Sequence, residues 1–224
     1  MITWQRYESS YRNRMSAKAR NQAIKWAVEK QHADIISISL GWEQEQCIDR
    51  RRHISNAIGS ALGEGNQEVL IFAAASNQGG TTHELFPANH PLAISVRGAN
   101  LKGQHQDYNP SLPRDGDKVF GALGVAVPAR RRGKIAPNYY EERGTSAATA
   151  VMTGLAALVI GYINVSDVQR WDNVRMHRGF RNLLMDLSTE QEERKLFFSL
   201  DNYLASKRSA DLEAALTSAS RSVR

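Results

Sequence analysis

The segment Gly144-Thr145-Ser146-Ala147-Ala148-Thr149-Ala150 opens a stretch, Ala147 to Val165, that carries no charge. A serine at the start of a helix sits among backbone N–H groups without intrahelical partners, at the positive end of the helix dipole. Both features stabilise an oxyanion, so Ser146 suits the nucleophile of an acyl transfer. Serine and threonine are also the preferred caps of ordinary helices, so position alone does not separate a nucleophile from a cap. Asn77 ends the apolar run from Val69 to Ala75 and its amide could donate to the same oxyanion. Before Gln78-Gly79-Gly80, asparagine is by itself a turn residue. A third segment, Ser39-Leu40-Gly41, closes the apolar run that begins at Ile35. Backbone at Ser39 to Gly41 and at Ala74, Ala75 and Ser76 could form two walls around an extended peptide.

The elements that must carry these residues are read from hydrophobic spacing. Ala23, Ile24, Ala27 and Val28 recur at helical intervals between Ala17 and Asp34, and the run 35–41 that follows is short, β-branched and closed by glycine. A second helix is predicted from Gln46 to Leu62 by Ile54, Ala57, Ile58, Ala61 and Leu62, with Gly63 and Gly65 ending it. Buried strands are predicted at Val69 to Ala75 and Leu92 to Val96, and a strand-like piece around Val119 to Val127 lies within a Gly, Pro, Asn and Asp-rich stretch over 98–144. Single strands alternating with helices predict an α/β fold, a parallel sheet flanked by helices. Ala147 to Val165 is as long as a membrane span, but Thr149, Thr153, Gly154, Gly161 and Asn164 interrupt it and no aromatic or basic belt flanks it. A helix buried in a soluble core is the better account, so no membrane is expected. Ser166 can cap a further helix with Met176, Phe180, Leu183, Leu184 and Leu187 on one stripe, and a polar, mostly helical tail is predicted from Ser188. The chain divides into a basic lead-in over 1–16, a core domain over 17–165 and a helical tail over 166–224.

Taken together and in order, these motifs resemble the subtilisin-like serine peptidases (subtilases). Gly144-Thr145-Ser146-Ala147-Ala148 resembles the family's nucleophile motif, Ala73-Ala74-Ala75-Ser76-Asn77-Gln78-Gly79 its oxyanion strand end, and Ser39-Leu40-Gly41 its cleft strand. Phe86-Pro87-Ala88 and Leu92 to Val96 are similar to the segment after the oxyanion loop, and the likeness covers about Ala17 to Tyr162. It implies a subtilisin-like fold and serine endopeptidase activity. Ser146 would be the nucleophile and Asn77 the oxyanion donor, with Ser39, Leu40, Gly41, Ala74, Ala75 and Ser76 lining an extended peptide or protein substrate. No cofactor or metal is implied. Three residues depart from the pattern: Ser76 replaces the glycine before the asparagine, and Ala150 and Val151 replace Pro and His after the serine motif. They resemble a fungal-type branch of intracellular subtilases.

The other two triad members do not match. In the family's order Asp and His precede Ser, and only 34 residues precede the strand at Ile35. Among them Asp34 lacks the Thr/Ser-Gly that should follow, and His32 lacks Gly-Thr. His53, His83, His90, His105 and His177 show no family pattern either. A serine without its base is a weak nucleophile. The resemblance therefore implies an N-terminally truncated, inactive peptidase whose missing part or another domain completes it, or a pseudopeptidase that binds a peptide or partner. A parallel sheet missing its first strands would expose an edge and an apolar face.

Composition bounds these readings. Sequence length and 42% hydrophobic residues allow a real core, and one cysteine, Cys47, excludes a disulfide scaffold or cysteine zinc cluster. The polar start has no signal-peptide pattern, so a reducing, cytoplasmic home is expected. Of the net charge of +6, a surplus of +4 sits in residues 1–34, while 35–164 and 165–224 are each nearly neutral. Arg50-Arg51-Arg52 and Arg130-Arg131-Arg132 with Lys134 could meet phosphates, but no interleaved aromatics accompany them and nucleic acid is the least favoured partner. The α/β-hydrolase elbow is missed at Ala148, Gly133-Lys134 lacks the rest of a phosphate loop, and Asn164-Val165-Ser166 is a sequon without a secretory context.

Overall fold

The computed structural model describes residues 2–5, 17–43, 48–62, 69–113, 116–130, 139–166, 168–201 and 209–222. In chain order the elements are β1 (Ile2–Gln5), α1 (Ala17–Glu29), β2 (Ile35–Ser39), α2 (Ile48–Leu62), β3 (Leu70–Ala74), β4 (Ile94–Ala99), β5 (Val119–Leu123), β6 (Val127–Arg130) and β7 (Tyr139–Glu142). They continue with α3 (Thr145–Ser166), α4 (Val168–Arg175), α5 (His177–Leu187), β8 (Ser188–Glu192), β9 (Lys195–Phe198) and α6 (Ser209–Arg221). Among the described residues seven strands form one sheet in the order β1-β2-β3-β4-β5-β9-β8. All neighbours are parallel except the β8/β9 hairpin. The sheet is thus the parallel α/β sheet that alternating strands and helices require.

β2 and β3 are buried along their whole length, as strands covered on both faces must be. Alternate residues sort into two cores. Ile36, Ile38, Ile71 and Ala73 pack with Ile24, Ala27 and Val28 of α1 and Ile54, Ala57 and Ile58 of α2, while the side chains of Ala61 and Leu62 lie outside the described residues. Leu70, Phe72, Val96 and Phe120 face the other core, where α3 contributes Ala148, Met152, Ala156, Val159, Ile160 and Ile163. α3 is long and apolar enough to cross a membrane by length and composition. Here it lies across the sheet against β2, β3, β4 and β5. Trp171, Phe180, Leu183 and Leu184 of α4 and α5, and Leu216 of α6, complete that core.

Four features differ from the sequence reading. Ile2–Gln5, within the lead-in, is a strand paired with β2, Ile2 opposite Ile36 and Gln5 opposite Ser39. Its β-branched and aromatic residues suit a strand, and among the described residues β1 is the edge of the sheet on that side. The piece at Val119 to Val127 is two strands: β5 joins the sheet, and β6 leaves it to pair with β7 as a separate antiparallel ribbon. Ser166 is the last residue of α3, and the single helix expected after it is two, α4 and α5, the second beginning at His177 after an extended Met176. The chain bends at Trp171, whose ring is buried. Finally, the tail opens with a β-hairpin, β8 and β9, before the helix α6. The alternation Lys195-Leu196-Phe197-Phe198 buries Leu196 and Phe198, and β9 extends the main sheet parallel to β5.

Candidate active site

The site is built on one turn. Gly144, immediately before α3, has φ 123°, a conformation that favours glycine, and its N–H donates to Gly124 O at 2.9 Å. A Cβ there would also stand 2.8 Å from Asn77 Nδ2. Asn77, at the end of the β3 segment, accepts a hydrogen bond on Oδ1 from Thr145 N–H at 2.8 Å. That bond sets the amide orientation, because only the oxygen can accept from an N–H. Nδ2 is then the remaining donor, and it has no hydrogen-bond partner among the described residues. The N–H of Ser146 lies in the first turn of α3 and has no intrahelical acceptor. The Ser146 hydroxyl is partly exposed and has no partner among the described residues either. One turn thus brings together a hydroxyl and two unused N–H donors.

The two expected walls differ in their backbone. Ser39 is buried and its hydroxyl donates to Ser146 O at 3.2 Å, tying the end of β2 to the start of α3. Gly41 has no backbone partner among the described residues, so a peptide strand could pair there. Ala75 differs: its N–H donates to Val96 O at 3.0 Å and its carbonyl accepts from Leu85 N–H at 2.9 Å. This wall therefore has no free strand edge at Ala75. Leu85 also crowds Gly41, while Trp42 and Phe86 form a two-bond bridge that ties the walls together. Ser76 is buried and its Oγ accepts from Gln78 N–H at 3.2 Å, so the serine that replaces glycine closes the turn bearing Asn77.

Two supporting residues escaped the sequence reading. Tyr108 donates its hydroxyl to Gly124 O at 2.8 Å, and its carbonyl accepts from Gly79 N–H at 3.0 Å, joining the turns of Asn77 and Gly144. Burial raises its pKa, which keeps the phenol a donor. Its ring lies so close to Gly98 that no side chain fits there. Arg97 is 2% exposed, on β4. It donates to Pro110 O at 2.6 Å, Ser111 O at 2.8 Å and Glu84 Oε1 at 2.9 Å, clamping the loop after Asn77 to the loop after Tyr108. Burial lowers its pKa and the Glu84 carboxylate opposes that shift. A lone arginine within Ser95-Val96-Arg97-Gly98 carries no sequence signal of such a clamp.

No base reaches Ser146 among the described residues. Asp34 pairs with Arg175 at 3.3 Å just before β2 begins, whereas Ser146 lies beyond the other end of that strand. Five strand residues span about 17 Å, so neither Asp34 nor His32 serves the serine. His90 does face a serine, with Nε2 3.0 Å from Ser55 Oγ, but Nδ1 accepts from Leu92 N–H at 3.1 Å. A neutral ring with Nδ1 accepting carries its proton on Nε2, so His90 donates to Ser55 and cannot take its proton. His105 bonds Leu196 O at 3.1 Å and burial lowers its pKa to about 4. His177 is likewise lowered by burial, and His53 and His83 are exposed on α2 and a loop. Among the described residues no three His, Cys, Asp or Glu side chains gather as a metal site would require. Of the arginine runs, Arg51 stacks over Phe86 at 5.5 Å and Arg130 is exposed on β6. The Arg50 side chain, Arg131, Arg132, Lys134 and Cys47 lie outside the described residues.

A serine at a helix start, beside an asparagine from a neighbouring strand and beyond the carboxyl ends of a parallel sheet, is the layout of a serine hydrolase of the acyl-transfer class. The chain belongs to the subtilase family, whose sequence pattern matches residues 6–198. It is 26% identical over 149 residues to the subtilisin-like protease het-Q2 of Podospora anserina, a match covering 66% of this chain and 39% of that protein. It is 25% identical over 185 residues to the minor extracellular protease Epr of Bacillus subtilis, covering 82% of this chain and 25% of that protein. The chain therefore spans well under half the length of these relatives. Among solved structures, a mutant of the protease domain of PatA superposes with a TM-score of 0.69 at 22% identity, over 92% of this chain and 68% of that one. The PatG macrocyclase in complex with a peptide gives 0.65 at 21% identity, over 90% and 57%. These establish the subtilisin-like protease fold.

Proposed function

We propose that the chain is the peptide-holding, oxyanion-stabilising part of a subtilisin-like serine endopeptidase, with Ser146 as nucleophile and Asn77 as oxyanion donor. One observation carries this reading: Asn77 Oδ1 is engaged by Thr145 N–H at 2.8 Å, which leaves Nδ2 as a free donor beside the Ser146 N–H. An extended peptide would pair with backbone at Gly41 and pack against Ala74, Ala75 and Ser76, bringing its carbonyl to Ser146. The oxygen, gaining charge on attack, would take hydrogen bonds from Nδ2 and the Ser146 N–H. The described residues supply no group to accept the hydroxyl proton. The polypeptide therefore holds a peptide without hydrolysing it, and cleavage requires a base from outside them.

The experiment is covalent labelling with a fluorophosphonate probe, comparing the chain with Ser146→Ala. No labelling above that control is expected. Clear labelling that Ser146→Ala abolishes would overturn the inactive reading and show that a base reaches the serine. The second reading, a pseudopeptidase whose role is binding alone, is favoured by the wall at Gly41, which needs no catalysis to hold a strand. Labelling that appears only when upstream subtilase sequence bearing Asp and His is supplied would decide for the peptidase.

A further inference from the structure

Arg143 lies three residues before Ser146. Its guanidinium sits over the Tyr108 ring, 5.1 Å from the centroid. The ring is fixed from beneath, by its hydroxyl on Gly124 O and by the Gly79 N–H on its carbonyl. The arginine is thus held by stacking on a rigid plane, which lowers the entropy cost of a second bond. Its ion pair with Asp107 is weak: Nη2 stands 3.4 Å from Oδ1, with the side chains 62% and 90% exposed. A pair so exposed is worth little and is readily exchanged for another carboxylate.

The position matters as much as the charge. The walls at Ser39–Gly41 and Ala74–Ser76 rise from the ends of β2 and β3. Tyr108 lies against Gly98 of β4 and bonds Gly124, just after β5. The walls flank Ser146, which is bonded to Ser39 at the end of β2 and follows Thr145, bonded to Asn77 just after β3, while Tyr108 with Arg143 lies further across the sheet, by β4 and β5. A peptide held by the walls and passing Ser146 would reach Arg143 with the residues on the far side of the candidate scissile bond.

We infer that Arg143, stacked on Tyr108, is a specificity residue that binds a carboxylate side chain of the peptide, an aspartate or glutamate just beyond the carbonyl presented to Ser146. The inference rests on the reading of the cleft as a peptide site and adds its preferred ligand. A peptide carboxylate would displace Asp107 and accept two N–H bonds from the guanidinium edge.

Binding tests this without requiring cleavage. Capped, fluorescein-labelled octapeptides of Ala, Val and Gln, with one Glu or a Gln in its place walked through every position, are titrated by fluorescence polarisation. One register is expected to show Glu over Gln by about 3- to 10-fold at low salt, fading as salt rises. Arg143→Gln should erase that preference while leaving the Gln peptide's affinity unchanged, Arg143→Lys should keep part of it, and Asp107→Asn should enlarge it. A Glu preference that survives Arg143→Gln, or peptides that bind with no Glu preference at any position, would overturn the inference and leave the peptide cleft intact. Absence of binding by every peptide would overturn the cleft reading and this inference together.

Discussion

The two flanks of Ser146 are built differently. On the side over β3 to β5, Asn77, Gly144, Gly124, Tyr108 and Gly79 form a closed set of hydrogen bonds, and Arg97 clamps the loops beneath them. On the side over β1 and β2, the bond from Ser39 to Ser146 O is the contact between strand end and helix start. On the proposed reading the first flank would stabilise a developing oxyanion and the second is where a base would have to arrive. Oxyanion stabilisation needs fixed donors, because a dipole that must reorient gives back what it gains. The donors come from backbone and one asparagine within a continuous stretch of sheet, so they form without the base. The difference predicts that the flank bearing Asn77 is ordered whether or not a base is supplied to Ser146.

The sharpest way to break that contrast is at its foundation. Arg97→Met removes three hydrogen bonds and leaves the Glu84 carboxylate, 14% exposed, and two loop carbonyls without their partner. The expected loss is about 3–5 kcal/mol in urea unfolding. A loss below about 1 kcal/mol would mean that the clamp does not support the dense flank. His105 supports the same flank from the β5/β9 side, where it lies against Gly121 and bonds Leu196 O. Its pKa falls from 6.5 to about 4 on folding, burial being the main cause. The unfolded chain then binds the extra proton between those values, so stability is highest above pH 6.5 and is lost as pH falls toward 4. The loss is at most about 3 kcal/mol. Urea titrations at several pH values check this, and His105→Gln should flatten the profile in that window.

Gly144→Ala comes next in size. It asks alanine to adopt φ 123° and pushes a methyl group toward Asn77 Nδ2. The expected cost is about 1–3 kcal/mol, with the Asn77 amide displaced. An NMR spectrum in which the Asn77 side-chain amide and the Thr145 N–H do not shift would contradict the geometry.

Much of this was legible in the sequence, and the boundary is physical. β2, β3 and α3 announce themselves because their runs are apolar throughout, and the nucleophile turn because Gly-Thr-Ser precedes a helix without charges. Arg97 and Tyr108 were not legible. Their roles depend on carbonyls at Pro110, Ser111 and Gly124, and a backbone acceptor has no residue type to read. β9 was missed because its four residues are flanked by a polar hairpin and its partner, β5, lies more than seventy residues away. Ser166 read as a cap because serine caps helices well, yet packing of α3 to Ile163 carries the helix up to it. The six histidines were separated from the serine by lacking any family pattern, and the fold adds a reason: those resolved in contact are bonded to Ser55, Leu196 or Ala93.

The smallest expected effect lies on the sparse flank. Ser39→Ala deletes the hydroxyl that reaches Ser146 O at 3.2 Å. That carbonyl lies inside α3, where it already accepts the N–H four residues on, so losing the serine does not orphan it. The hydroxyl is itself buried, and its removal takes away a group that costs desolvation energy. The net change should stay below about 1 kcal/mol. Asn77→Ala, by contrast, leaves the Thr145 N–H without an acceptor at the helix start, and should cost more than Ser39→Ala in the same urea assay. Should the order invert, the end of β2 and not the Asn77 turn would be what fixes the start of α3, and the contrast between the two flanks would be reversed.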